Sequence, residues 1–85
     1  MWRVIVRISF FRDRGSRLRN HLDPLFTAMG LQNTRTGTWE SAAVSLAQAA
    51  TQMNLVLQAI ANPQAVPGVH PQAALNHLWV YIDRV

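Results

Sequence analysis

Six of the eight arginines in this 85-residue chain stand within its first nineteen residues: Arg3, Arg7, Arg12, Arg14, Arg17 and Arg19. Asp13 is the only acid among them, and the chain has no lysine. A guanidinium presents a rigid fork of donors that matches phosphate or carboxylate, whereas a lysine offers a hydrated point charge. The formal net charge of +4 points the same way, toward polyanionic partners. The chemistry expected of this cluster is recognition of phosphate, with RNA or DNA as the partner. A protein with an acidic surface is the alternative.

Other chemistry finds less support. Hydrolysis by metal needs converging carboxylates. The four acids, Asp13, Asp23, Glu40 and Asp83, are scattered along the chain. The histidines His21, His70 and His77 lack the spacing of a helical metal site. No cysteine is present, which removes disulfides, thiolate metal sites and a thiol nucleophile. Ser9, Ser16, Ser41 and Ser45 have no nucleophile context, and Gly15, Gly30, Gly37 and Gly68 are too dispersed to cradle a phosphate. No metal and no cofactor are expected. Asp13 is the one candidate for a catalytic role.

The elements that must position these residues follow from hydrophobic period. Trp2, Val4, Val6, Ile8 and Phe10 alternate with Arg3, Ile5, Arg7 and Ser9, which predicts a strand over Trp2–Phe10. A charged loop, Phe11 to Gly15, leads to a helix with Ser16 as its N-cap. Leu18, Leu22, Leu25, Phe26 and Met29 share one helical face, Pro24 predicts a kink, and Gly30 stops the helix. Leu31–Arg35 and Thr38–Leu46 read as a hairpin turning at Thr36-Gly37. Its expected core face is Ala42, Val44 and Leu46, with Trp39, Ser41, Ala43 and Ser45 on the other. A second helix, Ala47–Ala61, would bury Ala50, Met53, Leu57, Ile60 and Ala61. A proline loop from Pro63 to Pro71 precedes a last strand, Leu75–Val85.

Strand, helix, strand, strand, helix, strand predicts one α+β domain over residues 1–85, the ferredoxin-like βαββαβ arrangement. Right-handed crossovers put both helices on one face of a four-stranded antiparallel sheet. The first and last strands are expected at its centre. The other face stays open and is expected to carry Arg3, Ile5, Arg7, Trp39, Ser41, His77, Trp79 and Tyr81. Two uses compete for such a surface. A second copy could pack sheet to sheet through Ile5, Trp39, His77, Trp79 and Tyr81, since aromatics and arginine are enriched at interface centres. Alternatively, bases stack on Trp39, Trp79 and Tyr81 while Arg3 and Arg7 hold phosphates. The homodimer is the preferred expectation. No run of about eighteen apolar residues exists, so no membrane span is expected, and nothing resembles a secretory leader, so the chain reads as cytoplasmic.

Three segments, Val4-Ile5-Val6-Arg7-Ile8-Ser9-Phe10-Phe11, the helix from Arg17-Leu18-Arg19-Asn20-His21-Leu22 to Met29-Gly30-Leu31, and Trp39-Glu40-Ser41-Ala42-Ala43-Val44-Ser45-Leu46-Ala47, carry a family likeness. They resemble small ferredoxin-like nuclease-like proteins: the small subunit of CRISPR adaptation complexes, the VapD ribonucleases and the GhoS-type antitoxin ribonuclease. Together they cover a little over a third of the chain. The resemblance implies a homodimer that handles RNA or DNA and, where active, a metal-dependent endoribonuclease. Those families commonly end the first strand on an aspartate. The matching positions here are Ser9, Phe10 and Phe11, with Asp13 displaced into the loop, so a non-catalytic or weakly catalytic relative is expected. Phosphate contacts fall to Arg12, Arg14, Arg17 and Arg19 at the helix start, where the helix dipole favours anions. The alternative is a protein-interaction module, a phage- or bacteria-encoded inhibitor or assembly factor.

Overall fold

Alternation in the first segment produces β1, Trp2–Phe11, with Val4, Val6 and Ile8 buried and Arg7 exposed between them. The structure, a computed structural model, describes residues 1–61 and 73–85, with Arg14 described by its backbone alone. After a 3-10 turn at Arg14–Ser16 come α1 (Arg17–Ala28), β2 (Leu31–Arg35), β3 (Thr38–Ser41), α2 (Leu46–Ile60) and β4 (Ala74–Arg84). The expected element order is therefore present. The expected proline loop and His70 lie outside the described residues. The four strands form one antiparallel sheet in the order β2-β3-β1-β4. Among the described residues no helix is long and apolar enough to cross a membrane.

Both helices pack on the face that carries Val4, Val6 and Ile8. Leu18, Leu22 and Phe26 from α1 join Ala49, Val56 and Ile60 from α2 in one cluster, with Leu78, Val80 and Ile82 of β4 packed against it. Pro24 sits inside α1 without ending it. Gly30, at φ +94°, supplies the left-handed residue that stops the helix. At Gly37 an added Cβ would lie 2.6 Å from the Ile8 carbonyl oxygen, and the Ile8 N–H donates to the Gly37 carbonyl at 2.8 Å. Only glycine fits this turn against β1.

Four expectations need correction. First, β1 and β3 form the centre of the sheet and β4 is an edge. Second, Trp39 and Ser41 face the helices. Trp39 pairs with Val6 across β1, and paired residues share a face, so Trp39 must join the core. It is 1% exposed, meets Phe26 edge-on at 5.0 Å, and donates its indole N–H to Asp23 Oδ1 at 2.8 Å. The expected face was inverted because β3 stops at Ser41 instead of running to Leu46. An irregular step at Ala42-Ala43 resets the parity before Val44, whose backbone bonds Trp2 at 2.7 Å in both directions.

Third, Ser16 does not cap α1. It adopts a left-handed conformation at φ 55° and makes no side-chain cap. Fourth, α2 buries Ala49, Gln52, Val56 and Ile60, about one position round from the expected stripe. Its start is set by a capping box, in which Ser45 Oγ accepts from the Gln48 N–H at 3.1 Å and Gln48 Oε1 accepts from the Ser45 N–H at 3.0 Å. No charged residue lies in Leu46–Ile60 to mark a solvent face.

These placements separate two tryptophans. Trp39→Ala should lower stability by about 3–5 kcal/mol, as expected for truncating a buried aromatic. Trp79→Ala, on the open face, should cost no more than about 1 kcal/mol. Urea unfolding followed by circular dichroism checks both; equal losses would contradict the assignment of faces.

Candidate nucleic-acid interface

The odd-numbered residues of β1 face away from the helices. Antiparallel pairing sets Arg3 opposite Asp83, Ile5 opposite Tyr81, Arg7 opposite Trp79 and Ser9 opposite His77. β3 adds Glu40 beside Ile5 and Thr38 beside Arg7. The register thus assembles, from residues distant in sequence, a surface that carries no helix among the described residues.

Its centre is a row of planar groups. The Arg7 guanidinium carbon lies 5.6 Å from the Trp79 ring centroid. On the same ring His77 stacks at 5.1 Å, with the planes inclined by 19°. The Ser9 hydroxyl lies 3.5 Å from His77 Nδ1. Tyr81 follows along β4. Trp79 and Tyr81 remain 41% and 44% exposed. The guanidinium over the indole is held without being neutralised, so its donors stay available to an anion. Beside this row a cleft of about 270 Å³ is lined by Ile5, Arg7, Arg35, Thr38 and Glu40.

The acids each have a structural task. Arg3 bridges Glu40 at 3.6 Å and Asp83 at 3.8 Å, across β1. Asp23 accepts from Trp39. Asp13 caps α1: its Oδ1 accepts from the Leu18 N–H at 2.8 Å and its Oδ2 from the Arg19 N–H at 3.1 Å. The helix start expected to attract phosphate is thus already occupied by a carboxylate of the chain itself. Among the described residues, Arg7, Arg12, Arg17, Arg19, Arg35 and Arg84 have no ion-pair partner.

The sequence-predicted basic residues divide accordingly. Arg7 lies at the centre of the open face. Arg3 is also there, but its guanidinium is committed to two carboxylates. Arg12, at φ 56° just past β1, places its guanidinium 5.1 Å from the Phe11 ring. Arg17 is exposed at the start of α1. Arg19 lines a cleft of about 320 Å³ with Ser9, Phe10, Asp13, Ser16 and Thr36. Ser9 belongs to both this cleft and the open face, so the basic helix start adjoins the end of the aromatic row. Ile5, His77, Trp79 and Tyr81 are on the open face as expected, and Trp39 is not. Arg35 was missed; its place at the end of β2, opposite Thr38, follows from a register shift after Asn33 that no local pattern signals.

Among the described residues no three histidine, aspartate or glutamate side chains are grouped to hold a metal. Comparison with known proteins finds no matching family model, no matching curated protein and no matching solved structure.

The capping role of Asp13 is testable. Asp13→Ala should destabilise the protein by about 0.5–2 kcal/mol through loss of the cap, seen as a lower thermal midpoint, and should not weaken polyanion binding. An unchanged midpoint together with loss of a nucleolytic activity would instead make Asp13 catalytic.

Proposed function

We propose that this chain is a single-stranded nucleic-acid-binding protein and that the open sheet face is its binding surface. The observation that carries the reading is the Arg7–Trp79–His77 row, a cation and two rings presented together on the sheet face opposite the helices. Unpaired bases would stack on Trp79 and Tyr81, an interaction that tolerates sequence because every base has a flat face. Arg7 and Arg35 would hold the backbone beside them. Arg12, Arg17 and Arg19, with Arg14, would extend the contact along the adjoining helix start.

The sheet order, read from the other edge as β4-β1-β3-β2, together with the order strand, helix, strand, strand, helix, strand, supports a ferredoxin-like topology as part of this proposal. So does the resemblance to nuclease-like proteins of that topology. The engagement of Asp13 by two backbone N–H groups favours a non-catalytic binder over a nuclease.

Packing two open faces against each other is less favourable. It would bury Arg7 and Arg35 against their own copies, while both acids of that face, Glu40 and Asp83, already serve Arg3. Buried unpaired charge is costly. A polyanion neutralises the same arginines instead. The protein-interaction alternative requires an acidic surface on the partner for the same reason.

Fluorescence anisotropy with labelled single- and double-stranded RNA and DNA across a salt series tests the proposal. Single strands should bind more tightly than duplex. Trp79→Ala should cost about 1–3 kcal/mol of binding free energy. Arg7→Ala and Arg17→Ala should each lower the slope of log affinity against log salt by about 0.7. Salt-sensitive binding that ignores Trp79→Ala would remove the stacking surface from the reading. Absence of binding at low salt would remove nucleic acid altogether.

A further inference from the structure

We infer that the outer edge of β4, which no strand covers among the described residues, pairs with the β4 of a second copy, antiparallel about a two-fold axis at Val80, to make one continuous eight-stranded sheet. The inference rests on backbone geometry and does not depend on the nucleic-acid reading.

The direction of the β1 backbone groups decides which β4 groups are free. Trp2 exchanges both of its bonds with Val44, the Val4 N–H donates to Ser41 Oγ, and the Ile8 N–H donates to the Gly37 carbonyl. The even residues of β1 therefore point toward β3. Its odd residues point toward β4, where their partners are Asp83, Tyr81, Trp79 and His77. The Val85 N–H donates to the Met1 carbonyl at 2.9 Å, in the same phase. Hence the N–H and C=O groups of Leu78, Val80 and Ile82 point outward from the sheet, where no strand follows β4 among the described residues.

An edge of this kind is a template for another strand, and proteins that keep one free blunt it with proline, lysine or inward charge. From Leu78 to Ile82 the edge reads Leu-Trp-Val-Tyr-Ile, with no charge, glycine or proline. A second copy is the occupant because the strand is complementary to itself. Hydrogen bonding requires even residues to face even residues. The register shift opposite Ser9 and Phe10 leaves Asn76 as an extra residue and limits the regular edge to positions from His77 onward. A two-fold at Val80 then sets Leu78 opposite Ile82 of the second copy and Trp79 opposite its Tyr81. It also sets His77 opposite its Asp83, whose carboxylate would then lie between Arg3 of its own chain and the imidazole. Moving the axis to Tyr81 would oppose Trp79 to Asp83 and lose that complementarity. The two-fold stands perpendicular to the sheet, so both open faces lie on one side and the two Arg7–Trp79–His77 rows become one surface.

The chain has no native cysteine, so single cysteines read the geometry directly. Across the axis the two Val80 Cα atoms would be about 5.5 Å apart, within the range a disulfide spans. Val80→Cys should therefore give a disulfide-linked dimer under mild oxidation, scored on a non-reducing gel. Trp79→Cys and Tyr81→Cys should not link, because each lies diagonal to its own copy at about 7–8 Å. Circular dichroism of the reduced variants confirms that each is folded. Wild-type protein should scatter light with twice the 9.6 kDa chain mass. Linking through Trp79→Cys or Tyr81→Cys but not Val80→Cys would place the interface on the open face and overturn the inference. So would a wild-type monomer at high micromolar concentration.

Discussion

The parity of β1 is the constraint on which the other features rest. In an extended chain, successive residues point to opposite faces of the sheet, and their backbone groups point alternately to opposite neighbours. In β1 these two alternations run in phase. Even residues supply the core side chains Val4, Val6 and Ile8 and bond toward β3, while odd residues supply the open face and bond toward β4. Everything paired to β1 inherits that assignment. Trp39 enters the core because it is opposite Val6; Trp79 is exposed because it is opposite Arg7. A one-residue slip would exchange core and surface along the whole sheet.

Charge is distributed under the same constraint. With only four acids, the chain places each where a structural donor needs an acceptor. Asp13 answers the first amides of α1, Asp23 the indole of Trp39, and Glu40 and Asp83 flank Arg3. The remaining described arginines stay unneutralised. Exposed ion pairs contribute little to stability, about 0–1 kcal/mol, so the arrangement around Arg3 matters more for what it prevents. It withdraws both acids of the open face from Arg7 and Arg35 and leaves those two without an ion-pair partner among the described residues. The cap on α1 has a parallel effect, since its carboxylate takes the first amides of the helix and leaves Arg12, Arg17 and Arg19 without an ion-pair partner among the described residues.

Much of this was legible in the chain because its periodic signals are strong. The alternation in Trp2–Phe10 specified both the strand and its two faces. The spacing of Leu18, Leu22 and Phe26 specified the buried side of α1, and Thr36-Gly37 marked the hairpin turn. The pairing of Ile5, Arg7, His77, Trp79 and Tyr81 on one face followed from period two in the first and last strands. Local ambiguity hid the rest. The stretch from Trp39 to Leu46 supports an extended pattern of either parity, and the irregular step at Ala42-Ala43 carries no distinctive residue. The second helix has no charge to mark its solvent side, so its rotation was not readable. Ser16 and Asp13 are both good capping residues, and the choice depended on where the turn at Gly15 sent the chain.

Residue type and period therefore settle properties internal to one segment: its secondary structure, its apolar stripe and its charge. They also settle that arginine outnumbers acid and that the final strand is apolar throughout its middle. Which segment lies beside which, and in what register, belongs to the tertiary structure. Pairing put Trp39 inside and Trp79 outside, brought Arg35 to the side of Arg7, and left β4 at the edge instead of the centre. The reason is physical. A side chain chooses between core and solvent through the whole sheet that buries it, and its strand neighbours come from hydrogen bonds between residues far apart in the chain.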